Sequence, residues 1–149
     1  EEKFLLEIQK KTKDSSIIKI KNAWNSMLLD LPENRINMIK FLKRKYRIFL
    51  LSNTNSIHIK KLKTNLGIKK YTQFINLFDK IYYSHKIRVR KPNKESFLLI
   101  LDQQKLDPNN VLFIDDSIQH IEGAKKLAIK THHLKEGQEI TKLFSDITL

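Results

Sequence analysis

Three short stretches put charged or hydrogen-bonding groups where apolar runs stop: LLSNTN around Ser52, RKPN around Lys91, and FIDDS around Asp115 and Asp116. Two adjacent carboxylates repel each other, and a neighbouring cation removes that cost. Hard oxygen ligands in a loop with room for water suit Mg2+, which takes one or two protein carboxylates together with water and phosphate oxygens. The Asp115–Asp116 pair therefore suggests a metal-assisted phosphate site, although Asp116 or Ser117 would also serve simply to cap a helix beginning near Ile118. Ser52 offers a hydroxyl which, with the N–H groups of the turn after it, could hold an anionic oxygen. Ser and Asn are equally common turn formers. Lys91 stands before Pro92 at a new helix start, so its ammonium is carried on a stiffened backbone. A lysine so placed can neutralise a phosphate or a carboxylate pair, or merely be solvated.

These residues are far apart along the chain, and only a fold can gather them. FLLEIQKKT, SSIIKIKNAWNSMLLD and PENRINMIKFLKRK read as helices, the second with Ile17, Ile20, Trp24, Met27 and Leu28 as a core-facing stripe and the third opened by Pro32. From Tyr46 the pattern becomes strand, loop, helix. YRIFLLS precedes SIHIKKLKTNLG, with Gly67 as its stop; KIYYS precedes HKIRVRKP and the helix NKESFLLILDQQ; VLFID precedes DSIQHIEGAKKLA; KTHHL leads into a helix from about Glu136. Continuously apolar strands alternating with helices predict an α/β fold with a mainly parallel sheet covered on both faces. Ligands in such sheets lie at the carboxyl ends of the strands. That rule puts Ser52, the segment before Lys91, and Asp115 with Asp116 on one edge.

The bulk composition narrows the partners. A chain of 149 residues with three Gly, three Pro and no linker-like segment reads as one compact unit. The absence of cysteine excludes disulfides and cysteine-ligated zinc or iron–sulfur sites. No apolar run approaches the ~20 residues of a membrane helix, and EEKFLLEIQKK lacks the features of a signal peptide. The expectation is a soluble, cytoplasmic protein without a membrane partner. Net charge is +13, from 29 Lys and Arg against 16 Asp and Glu, which raises nucleic acid as a candidate partner. The lysines are spread along the whole chain, however, as solvated helix faces require, which argues against a dedicated nucleic-acid surface. Oligomeric state is not legible.

A hydroxyl, a Lys-Pro and an Asp-Asp, each at the exit of a successive strand of one α/β unit, together resemble the haloacid dehalogenase-like hydrolase superfamily. The wording LLSNTN, RKP and FIDDS followed by IEGAKKL is similar to its phosphatase branch, the sugar-phosphate phosphatases and the N-terminal phosphatase domain of soluble epoxide hydrolases, from about Leu31 to the end. The resemblance implies a Rossmann-like three-layer core over residues 31–149 and part of a helical cap over residues 1–30. It implies Asp116 as a Mg2+ ligand, Asp115 as a second acid of that metal shell, Ser52 and the Asn53 backbone N–H on the phosphoryl oxygens, and Lys91 offsetting charge on the phosphoryl group and its attacker. The implied activity is Mg2+-dependent hydrolysis of phosphate monoesters of small metabolites, run by positioning and charge neutralisation.

Members of that family carry a nucleophilic aspartate, in an aspartate-x-aspartate or aspartate-x-glycine motif, on a strand in the middle of the sheet. The acids before Ser52 are Glu1, Glu2, Glu7, Asp14, Asp30 and Glu33, and none follows a strand-like run with a second acid or a glycine two residues on. The chain is therefore expected to begin inside the cap, with the nucleophile and central strand upstream of Glu1. The strands from Tyr46 and Lys80 would then lie on one side of a gap, and those from Val111 and Lys130 on the other. The alternative is a catalytically inactive fragment or pseudoenzyme acting as a phosphate- or polyanion-binding module. His120 stands where the family often has Asn or Asp, and it could face the site or bond a loop. His132 and His133 have no acidic partner at metal spacing and read as structural. Trp24 reads as core or as a wall of the cap.

Overall fold

A computed structural model describes residues 2–12 and 16–145. Three helices come first: α1 (Glu2–Lys11), α2 (Ile17–Asn25) and α3 (Glu33–Leu42). The α/β part follows as β1 (Phe49–Ser52), α4 (Ser56–Ile75), β2 (Lys80–Tyr83), the single-turn α5 (Ser84–Ile87), α6 (Lys94–Gln104), β3 (Leu112–Asp115), α7 (Ile118–Lys125) and β4 (Lys130–His133). Short 3-10 turns cover Pro108–Asn110 and Ile140–Phe144. None of the described helices is long and apolar enough to cross a membrane.

The strands form two parallel pairs. β1 pairs with β2, putting Ser52 opposite Tyr83, and β3 pairs with β4, putting Asp115 opposite His133. The pairs are not hydrogen-bonded to each other, so the division expected on either side of a gap is present. A common core nevertheless joins them. Phe97 and Leu101 of α6, Ala124 of α7 and Ile129 are buried together, and Leu51 of β1 and Phe113 of β3 both pack on that cluster. One side of α6 thus spans both pairs. Gln104 near its end donates to the Tyr82 hydroxyl of β2. The start of β1 is tied to that of β2 because the Asp79 carboxylate accepts the Ile48 N–H at 2.7 Å.

A second cluster lies apart from the first: Leu5, Ile20 and Ile57 are buried, with Ile8, Ile17 and Trp24 packed against them. It fastens α1 and α2 onto the first turn of α4. Trp24 also stacks on His58, whose Nε2 lies 3.0 Å from the Trp24 carbonyl oxygen. Ser16 caps α2 by accepting the Lys19 N–H. The C-terminal segment is held to α3 through a two-pronged Arg35–Glu139 pair.

Several local expectations are corrected. Gly67 does not end its helix but kinks it: φ 72° and ψ 158° are open only to glycine, and helical geometry resumes as far as Ile75. No α-helix starts near Glu136; the chain makes only the 3-10 turn from Ile140. Met27 lies beyond the end of α2 and is 59% exposed, so it leaves the core stripe that Ile20 anchors. The apparently irregular HKIRVRKP contains α5, closed by Arg88 in the left-handed region at φ 61°.

Candidate active site

Lys91 is buried, and its position follows from local structure. It sits between α5 and α6, joined to Pro92 by a cis peptide bond. The Asn53 side chain, in the loop leaving β1, holds the Lys91 backbone through two hydrogen bonds, its Oδ1 accepting the Lys91 N–H and its Nδ2 donating to the Lys91 carbonyl. From the opposite side α7 presses close at Gly123. A Cβ there would stand 2.7 Å from the Pro92 carbonyl oxygen, so only glycine allows this approach.

Held in this way, the Lys91 ammonium donates to the Leu51 carbonyl at 2.9 Å and to Asp115 Oδ2 at 2.6 Å. It therefore spans from the end of β1 to the end of β3, across the gap between the strand pairs. Two of its three N–H donors are used. Asp115 Oδ1 accepts the Ser117 N–H at 2.9 Å and lies 2.8 Å from His120 Nδ1. Burial pushes the Asp115 carboxyl up, but the Lys91 hydrogen bond, the Ser117 N–H, the Lys91 charge and His120 together outweigh it and hold the carboxyl below its usual range. His120 Nε2 in turn lies 3.4 Å from Asn53 Nδ2.

Ser52, Asn53, Lys91, Asp115, Asp116 and His120 lie where the strands end, while Trp24 belongs to the separate helical cluster. Ser52 ends β1, half-buried, and its hydroxyl has no hydrogen-bond partner among the described residues. Asp116 is exposed, with no side-chain partner among the described residues, while its carbonyl lies 3.0 Å from His133 Nε2. Neither Asp116 nor Ser117 caps α7 through its side chain. His133 is thus accounted for structurally, and His120 faces the site rather than a distant loop.

The donor set sorts the two acids. Both Asp115 oxygens are occupied by protein donors, which leaves Asp116 as the carboxylate open to a cation. Among the described residues no three His, Asp or Glu side chains gather into a metal-holding group. A single free carboxylate, backed by a second one, fits Mg2+ that draws its other ligands from water and phosphate. It does not fit zinc, which draws at least three of its ligands from protein side chains.

Two features of the site escaped the sequence: the Asn53 side chain as a clamp on Lys91, and Gly123 as the contact point of α7. Asn after a strand-ending serine signals only a turn, and a glycine inside a helix shows nothing of what it touches. A third is the clasp beside them, where Ser84 Oγ accepts the Thr54 N–H and donates to the Thr54 carbonyl, both at 3.0 Å.

Residues 4–127 match the haloacid dehalogenase-like hydrolase family, and the chain belongs to it. It is 26% identical over 125 residues to D-ribitol-5-phosphate phosphatase of Bacteroides thetaiotaomicron, covering 81% of this chain and 61% of that protein. It is 25% identical over 126 residues to a phosphorylated carbohydrates phosphatase of Thermotoga maritima, covering 80% of this chain and 55% of that protein. The chain thus spans little more than half the length of these curated relatives. Among solved structures it resembles a haloacid dehalogenase family enzyme of Bacteroides thetaiotaomicron in complex with magnesium and inorganic phosphate. The TM-score is 0.81 and the identity 34%, over 92% of this chain and 70% of the other.

Proposed function

We propose that the protein is a Mg2+-dependent phosphatase of small phosphorylated metabolites, sugar or polyol phosphates foremost. The observation that carries this reading is the Lys91 ammonium strung between the Leu51 carbonyl and Asp115, with a free hydroxyl on Ser52 and a free carboxylate on Asp116 at the same edge. The phosphatase relatives and the magnesium- and phosphate-bound neighbour support it.

In this reading a strand seated between β1 and β3 supplies a nucleophilic aspartate from upstream of Glu1. Its carboxylate oxygen displaces the alcohol from phosphorus, and water then hydrolyses the aspartyl phosphate. Ser52 and the Asn53 backbone N–H orient the phosphoryl oxygens, and the remaining Lys91 N–H offsets charge as it moves between attacker and leaving group. Bound Mg2+, held by Asp116 with Asp115 behind it, would supply positive charge to the phosphoryl oxygens. The helices before Leu31, with their separate apolar cluster, belong in the same reading to a cap over the core of residues 31–149.

The test is phosphate release from p-nitrophenyl phosphate and from a pentitol 5-phosphate by the full-length protein. Turnover should require Mg2+ and fall by about 10²-fold or more in Asp116→Asn and in Lys91→Ala. Turnover that persists in either variant overturns the assignment. Phosphate binding with no turnover in the full-length protein would instead make it a binding module.

A further inference from the structure

Outside the Lys91–Asp115 centre, the segment from Lys80 to Lys94 holds Lys80, Lys86, Arg88, Arg90, Lys91 and Lys94, and no acid. Lys91 has its carboxylate; Arg88 and Arg90 are exposed and pair with no acid among the described residues. The two arginines line a cleft of about 200 Å³ whose remaining walls are Thr54, Ser84, His85 and Val89.

The walls of this cleft are held in place. The double Ser84–Thr54 hydrogen bond joins the loop after β1 to the end of β2, and His85 Nδ1 lies 3.1 Å from the same Thr54 carbonyl. A carbonyl only accepts, so Nδ1 carries the hydrogen and the His85 ring is fixed against the loop after β1. Arg88 closes α5 in the left-handed region, at φ 61°, a conformation that costs a long side chain free energy and that shape alone would assign to glycine. Arginine at this strained corner is explained if its guanidinium has a task. Two arginines lining one small concavity, without a counter-charge among the described residues, supply the guanidinium chemistry that suits a phosphoryl group.

We infer that this cleft is an anion-binding site in its own right, taking a phosphoryl dianion on Arg88 and Arg90 with His85 beside them. It does not depend on the proposed hydrolysis, because it shares no side chain with the Lys91–Asp115 centre.

The experiment is a titration of inorganic phosphate into the full-length protein without Mg2+, at constant ionic strength, followed by the amide signals of Thr54, His85, Arg88 and Arg90 and by the His85 ring signals. These signals should shift together and saturate. The Arg88→Gln/Arg90→Gln double variant, which removes both charges while keeping polar side chains and bears only on exposed positions, should weaken the binding at least tenfold. The Ser52→Ala variant, which alters the proposed hydrolytic centre without stranding a buried charge, should leave it within twofold. Unchanged binding in the double variant overturns the site, as does an equal response to chloride. A response confined to long polyanions, with none to phosphate, overturns it in favour of a nucleic-acid surface.

Discussion

The Asn53 carboxamide grips Lys91 by its backbone, Oδ1 taking the Lys91 N–H at 3.0 Å and Nδ2 giving to the Lys91 carbonyl at 2.9 Å. A side chain from the loop after β1 thereby fixes the lysine that bridges to β3. Asn53→Ala should destabilise the protein by about 1–3 kcal/mol in urea unfolding, since it leaves part-buried backbone groups unpaired. Hydrogen exchange at the Lys91 amide should quicken more than at the buried β2 amides. Equal acceleration everywhere would mean that the clamp has no local role.

Removing the ammonium strands a carboxylate. Lys91 and Asp115 side chains are 9% and 7% exposed, so Lys91→Met should cost about 3–5 kcal/mol, most of it from the uncompensated charge. The double variant Lys91→Met/Asp115→Asn should recover a substantial part of that loss. Strict additivity in this cycle would show that the pair is not coupled.

Acid should act through the same carboxyl. Because the Asp115 carboxyl is held below its ordinary range in the folded protein, its contribution is complete above the unfolded value and disappears as pH falls through the folded one. Melting temperature should therefore drop steeply below about pH 4. In Lys91→Met, where the chief cation is gone, the protein should be weaker at neutral pH and the acid slope shallower. Parallel slopes in the two proteins would contradict this account.

Gly123 tests the packing of the turn. With its would-be Cβ 2.7 Å from the Pro92 carbonyl oxygen and 3.3 Å from the Phe97 ring, Gly123→Ala must push α7 off the Lys91–Pro92 segment. A loss of about 1–3 kcal/mol is expected from overpacking, even though alanine is the better helix former. Gly123→Ala that is as stable as the parent, with unmoved Lys91 signals, would show that the segment yields freely.

Much of this was legible in the residue order. Apolar runs ending at Ser52 and Asp115, each followed by a helical pattern, sufficed for a parallel α/β arrangement, and the strand-end rule brought Ser52, Lys91 and the two aspartates to one edge. The division of the strands into two pairs was expected because no strand-like run before Ser52 ends in an acid followed by a second acid or a glycine two residues on. Roles within the acid pair came only from the resemblance, and that Asp115 rather than Asp116 meets Lys91 was not legible in the residues. Local geometry was harder still. A glycine that kinks a helix, as Gly67 does, looks like one that stops it, and a basic run such as HKIRVRKP hides a single helical turn because that turn carries no period.

The docking of α1 and α2 on the first turn of α4 bears on how the molecule can move. Ile57, only 2% exposed, is the second residue of α4, two positions after the Asn55 cap and five beyond Ser52. Swinging the helical pair away would strip the cover from Ile57 and part His58 from the Trp24 carbonyl. The helices therefore cannot work as a loose lid on a passive base; any such swing pulls on the loop after β1 like a lever arm on its fulcrum.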